Sequence, residues 1–133
     1  MTNMKWRRIL SGMVVGGFLL GFPGLASVGA AADFFSSVDD LPLAPGLSEA
    51  VEQGVEFDSP AGRIVTAVAV GRGGKTPGVA AVQAFYRDAL PPLGWKMVSG
   101  DTYAREDERL TVNIGMDGGR VTVRIRLVPA GAE

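Results

Sequence analysis

Cysteine and histidine are both absent from this 133-residue chain. Without cysteine there is no disulfide, no thiolate nucleophile and no lipid-modified N-terminal cysteine, so the fold must be held by its core alone. Without histidine, the Ser-His and Cys-His arrangements of nucleophilic catalysis and the common zinc sites are excluded too. Two local absences are just as informative. No charged side chain occurs from Ile9 to Ala32, and no Lys or Arg occurs from Asp33 to Asp58.

The first uncharged run follows Lys5, Arg7 and Arg8 and ends in Ala30-Ala31-Ala32. A basic start, an apolar stretch and small residues at its end make a Sec-type signal peptide over residues 1–32, with cleavage after Ala32 or, alternatively, after Ala30. Trp6 stands where a twin-arginine signal usually has Ser or Thr, so Arg7-Arg8 supplies plain positive charge. The competing reading is an uncleaved anchor, since about 20 uncharged residues suffice to span a bilayer. Gly16, Gly17, Gly21, Pro23 and Gly24 make that run a poor continuous helix. Either way the rest of the chain is expected outside the cytoplasm, periplasmic or secreted.

Past residue 32 the charge divides. Asp33, Asp39, Asp40, Glu49, Glu52, Glu56 and Asp58 form an unrelieved acidic stretch, whereas ten basic and six acidic residues lie from Arg63 to Arg126. Leu41-Pro42-Leu43-Ala44-Pro45-Gly46-Leu47 disfavours a helix in the acidic part. The chain therefore reads as a signal peptide at 1–32, a loosely ordered, proline-containing acidic leader at 33–53, a folded domain at 54–129 and a tail at 130–133. The leader can lie across the basic part, repel anionic surfaces or stay solvated.

Periodicity supplies the elements of the domain. Val55-Glu56-Phe57-Asp58, a Ser59-Pro60-Ala61-Gly62 turn and Arg63 to Val70 predict a hairpin that pairs Asp58 with Arg63 and Phe57 with Ile64. Thr76-Pro77 reads as a helix cap and first turn, and Val79, Val82, Phe85, Tyr86, Ala89 and Leu90 recur at helical spacing until Pro91-Pro92. Residues 95–98 and 102–106 predict a second hairpin whose inward side the alternation leaves open. In the last pair, Leu110, Val112, Ile114 and Met116 alternate with polar residues, as do Val121, Val123, Ile125 and Leu127. Closing on Gly118-Gly119 aligns all eight on one face. The expected fold is α+β: a single antiparallel sheet of about five to six strands, in the order β-β-α-β-β-β-β, with one amphipathic helix packed on one face.

Few motifs carry chemistry. Ala69-Val70-Gly71-Arg72-Gly73-Gly74-Lys75-Thr76 fits a relaxed phosphate-loop pattern, yet the β-β-α order is not the parallel core such loops serve, so it reads as a Gly-rich connector. Asp39-Asp40 and Glu106-Asp107-Glu108 lie in a leader and a turn, which do not enclose carboxylates for acid-base work or Ca²⁺. Trp95, Tyr86, Phe85 and Tyr103 fit a core better than a ligand cleft. Arg109, Arg120, Arg124 and Arg126 share the side of the last hairpin opposite its apolar face. Arginines so grouped can grip carboxylates or phosphates, or simply form a solvated face that resists edge-to-edge association. Nucleic acid is not expected, because the part beyond residue 32 carries 10 basic against 14 acidic residues and no aromatics interleave with the arginines.

The string Phe85-Tyr86-Arg87-Asp88-Ala89-Leu90-Pro91-Pro92-Leu93-Gly94-Trp95, followed by a Tyr103-containing hairpin and an alternating strand pair, resembles small exported bacterial proteins of uncharacterised function. In those proteins an FYxxxLPxxGW-like helix exit precedes a β-meander. The resemblance implies a fold and a compartment and transfers no functional residue. The functional expectation is an exported, non-catalytic envelope protein, a protein-interaction or complex-stabilising module. Its partner would be another envelope protein, bound through Arg109, Arg120, Arg124 and Arg126 or through the leader. The alternative is a periplasmic carrier of a small apolar or anionic ligand in the cleft between helix and sheet. No catalytic residue, metal, cofactor or nucleotide is assigned, and membrane contact is expected only through an uncleaved signal segment.

Overall fold

The computed structural model describes residues 33–72 and 76–131. The signal segment read from the sequence lies outside the described residues, as do Gly73 to Lys75 of the phosphate-loop-like string and the end of the tail. Nine strands, β1 (Phe34–Phe35), β2 (Val38–Pro42), β3 (Leu47–Glu49), β4 (Val55–Ser59), β5 (Gly62–Gly71), β6 (Lys96–Ser99), β7 (Thr102–Arg105), β8 (Glu108–Asp117) and β9 (Arg120–Pro129), accompany one α-helix, α1 (Val79–Ala89). The architecture is α+β, but it contains two sheets rather than one sheet of five to six strands. β1 and β2 form a small pair, and seven strands form the main sheet in the order β3-β5-β9-β8-β7-β6, with β4 also on β5.

The additional strands come from the stretch expected to be a loose leader. Phe35, Val38, Leu41, Ala44 and Leu47 are all buried in the main core cluster. β3 and β4 together make one interrupted edge along β5, pairing with residues 69–71 and 62–66 respectively. Between them the Ala50 amide donates to the Val68 carbonyl at 2.7 Å, and a single 3₁₀ turn at Val51–Gln53 bridges the gap.

Both long hairpins have the register their sequences predict. Asp58 faces Arg63 and Phe57 faces Ile64 across the first. In the last, Met116 faces Val121, Ile114 faces Val123, Val112 faces Ile125 and Leu110 faces Leu127. The tip requires positive φ at both central residues, and Gly118 and Gly119 supply 57° and 78°. The middle hairpin pairs Met97 with Tyr103, and Tyr103 with Leu110 on β8, which places that side against the core.

Helix α1 is shorter than Thr76-Pro77 suggests. It starts from Gly78, which caps it without a side-chain hydrogen bond, so Pro77 precedes the helix instead of opening it. Val82, Tyr86 and Leu90 are buried by it, and Phe85 meets Tyr86 edge-on with centroids 5.0 Å apart. Pro91–Leu93 turn the exit through a 3₁₀ helix that ends at Gly94, where φ is +89°. Trp95 is thereby delivered into the core, its amide donating to the Leu90 carbonyl at 3.2 Å.

The main sheet thus has two different faces. Val65, Ala67, Ala69, Leu110, Val112, Val121, Val123, Ile125 and Leu127 point to the side shared with α1 and residues 33–47. Strand alternation sends the intervening residues to the other side, which no described element covers.

Candidate functional site

The uncovered face is built by register. Along β9 its residues are Arg120, Thr122, Arg124, Arg126 and Val128, opposite Asp117, Gly115, Asn113, Thr111 and Arg109 of β8. Arg124 also faces Val68, and Arg126 faces Thr66, on β5. All four sequence-predicted arginines therefore share this face. Arg124 and Arg126 stand about 7 Å apart along the strand, and Arg109 is the diagonal neighbour of Arg126. Arg120 is about 13 Å along the strand from Arg124, at the hairpin tip opposite Asp117, so it stands apart from the other three.

Two features of the face were not assigned from sequence. Lys96 pairs with Ala104, which pairs in turn with Arg109, adding a fifth cation to the same side. The signal for it lay in the middle hairpin, whose facing alternation alone did not decide. Secondly, Phe57 and Val55 pair with Ile64 and Thr66, so they project from this face beside the arginines. They are 52% and 57% exposed. Val68 is 2% exposed although it belongs to this side. Arg124 is the long side chain directly across from it, and its aliphatic stem is suited to cover a valine while the guanidinium stays in water.

The acidic stretch does not neutralise this surface. Asp33 pairs with Arg72 at 3.3 Å and Asp40 pairs with Arg105, while Glu108 takes Arg63 at 3.2 Å and Arg105 at 3.7 Å. Glu49 accepts hydrogen bonds from the Ser36 amide and hydroxyl at 2.8 and 3.0 Å. Arg63, Arg105 and Glu108 alternate with the exposed row and so belong to the helix-bearing side. Among the described residues, Arg120, Arg124 and Arg126 form no ion pair. These three arginines thus leave the exposed face positively charged along β9, with Asp117 opposite Arg120 at the tip. Guanidinium groups in this arrangement donate several parallel hydrogen bonds to carboxylates or phosphates.

Several of the remaining sequence candidates have structural partners. Asp40 and Glu108 are held by arginine, and Glu106 occupies the β7–β8 turn with φ of +49°. Among the described residues, no group of three or more Asp or Glu side chains is gathered closely enough to share a metal ion. Tyr86, Trp95 and Tyr103 are core residues. Ala69 to Gly71 of the phosphate-loop-like string lie in β5 between antiparallel partners, and α1 begins only at Val79. Beside Tyr103, an open groove of about 420 Å³ runs between α1 and the middle hairpin.

Compared with family models, with curated proteins and with solved structures, the chain matches none.

Proposed function

We propose that this chain is an exported, non-catalytic envelope protein that binds an acidic protein partner on its uncovered sheet face. The supporting observation is the juxtaposition of Arg109, Arg124, Arg126 and Lys96 with exposed Phe57 and Val55 on one side of the main sheet. Arginine and aromatic side chains are the types that dominate binding energy at protein interfaces, and a basic patch steers and orients an acidic partner. Asp33 and Asp40 are engaged by Arg72 and Arg105, away from this face, which favours an external carboxylate surface as its partner. An envelope location for this binding is supported by the signal-peptide reading and by the resemblance to exported bacterial proteins.

The test is crosslinked capture from the envelope fraction, followed by reconstitution with the purified partner, using the wild type, an Arg124→Ala/Arg126→Ala variant and Phe57→Ser. The reading expects one acidic partner, weakened at least tenfold by either variant and weakened further by added salt. Unfolding free energy should fall by no more than about 1 kcal/mol in the arginine variant, because both positions are exposed and only the stem of Arg124 shields Val68. Binding that neither variant alters would remove this face from consideration.

A further inference from the structure

The groove beside Tyr103 differs from the open sheet face in carrying charge of both signs. Gln83 and Arg87 lie one turn apart on the exposed flank of α1 and form one wall. Asp101, in the β6–β7 turn, forms the opposite wall. Its carbonyl accepts from the Val112 amide at 2.9 Å, tying the turn to β8, and its carboxylate accepts from the Thr102 hydroxyl at 3.4 Å. Between the two walls Met97 and Ile114 provide apolar surface, and Tyr103 presents its ring. Arg87 and Asp101 make no ion pair with each other, so neither charge is consumed across the gap. Both act on the Tyr103 phenol from within this groove and in opposite senses, although burial dominates and raises its pKa.

A volume of about 420 Å³ is in the range of pockets that take small ligands, and the lining mixes apolar side chains with charged ones. A purely apolar ligand would leave both charges without a partner, and a simple anion would bring its charge to Asp101. We propose that this groove binds a small zwitterion with an apolar side chain, of the amino-acid or dipeptide class. Its carboxylate meets Arg87, its ammonium meets Asp101, and its side chain rests on Met97 and Ile114. Planar two-point recognition of a carboxylate by guanidinium supplies orientation as well as affinity. This site is separate from the sheet face proposed for the protein partner and does not depend on it.

The experiment is a ¹⁵N-¹H NMR titration of the protein with leucylleucine, its N-acetyl derivative and its C-terminal amide. Leucylleucine should give saturable shifts at millimolar concentration or below, centred on Gln83, Arg87, Asp101 and Tyr103. Acetylation or amidation should each weaken binding about tenfold or more, as loss of one charged contact implies. Arg87→Gln should abolish the preference over the amide, and Asp101→Asn the preference over the acetylated form. Both residues are exposed, so the variants' spectra should otherwise retain the wild-type pattern. Absence of saturable shifts at the groove, or equal binding of all three compounds, would overturn the proposal. Preferential binding of the acetylated anion would do so as well.

Discussion

The Arg105 guanidinium carbon lies 4.2 Å from the centre of the Trp95 indole ring. The same guanidinium donates to Asp40 of β2 and to the Leu93 carbonyl at 3.1 Å. One side chain therefore ties together the first strand pair, the exit of α1 and β7 of the main sheet. Its contribution comes from desolvated contacts, since Arg105 is only 19% exposed, whereas Asp40 is about half exposed and adds less.

Replacing Arg105 with Ala should consequently lower unfolding free energy by about 2 to 4 kcal/mol, combining a partly buried cation-π contact with charge-assisted hydrogen bonds. Asp40→Asn should cost less than about 1 kcal/mol. Urea denaturation of the two variants separates these values. Equal effects would mean that the ion pair, not the stacking, is the important contact.

Tyr86 secures the same N-terminal stretch from the helix side. Its hydroxyl donates to the Pro42 carbonyl at 3.0 Å and accepts from the Ala44 amide at 3.3 Å. Tyr86→Phe leaves both backbone groups without that partner and should destabilise by about 1 to 3 kcal/mol. Hydrogen exchange should speed up most at Ala44.

Tyr86 also sets an alkaline limit. Burial pushes its hydroxyl well above the ordinary tyrosine range, outweighing the opposite effect of the Ala44 hydrogen bond. A raised folded-state pKa means that the unfolded chain loses its proton first. The associated stability is thus intact below about pH 10, the unfolded value, and is lost as pH rises beyond it. Melting temperature should be nearly constant from pH 8 to 9 and fall above 10. The fall should be shallower in Tyr86→Phe, though not absent, because Tyr103 is shifted in the same direction.

What was legible in the sequence follows from periodicity. The Gly118-Gly119 hairpin aligned eight apolar residues under one register only, and that register is the observed one. The stretch at 33–47 was unreadable for the complementary reason. Its buried residues, Phe35, Val38, Leu41, Ala44 and Leu47, recur every third position. That spacing matches neither the twofold repeat of a strand nor the 3.6 of an α-helix, and Pro42 and Pro45 argue against both. The arginine face was legible because alternation places Arg109, Arg120, Arg124 and Arg126 opposite the core. Lys96 and Phe57 joined it only through pairings between separate hairpins, which local pattern does not encode.

Trp95 provides a test of core packing with two expected magnitudes. It is 1% exposed, and its indole Nε1 is buried without a hydrogen-bond partner. Trp95→Ala should cost about 3 to 5 kcal/mol through the cavity it opens. Trp95→Phe should cost far less, about 1 to 2 kcal/mol, because the smaller ring also removes an unsatisfied buried donor. Comparable losses in the two variants would indicate that Nε1 has a partner, such as an ordered water.

Gly94 links this packing to backbone conformation. Its φ of +89° is one that side chains other than glycine adopt with strain, and a Cβ there would stand 3.3 Å from Arg105 Cδ. Gly94→Ala should therefore destabilise through two separable causes: about 1 to 2 kcal/mol of backbone strain, and a steric displacement of the arginine from the Trp95 ring. A double-mutant cycle with Arg105→Ala distinguishes them. In the Arg105→Ala background only the backbone cost should remain, so Gly94→Ala should be less damaging there than in the wild type. If its cost is the same in both backgrounds, the Cβ does not disturb the stacked arginine, and the glycine is required by φ alone.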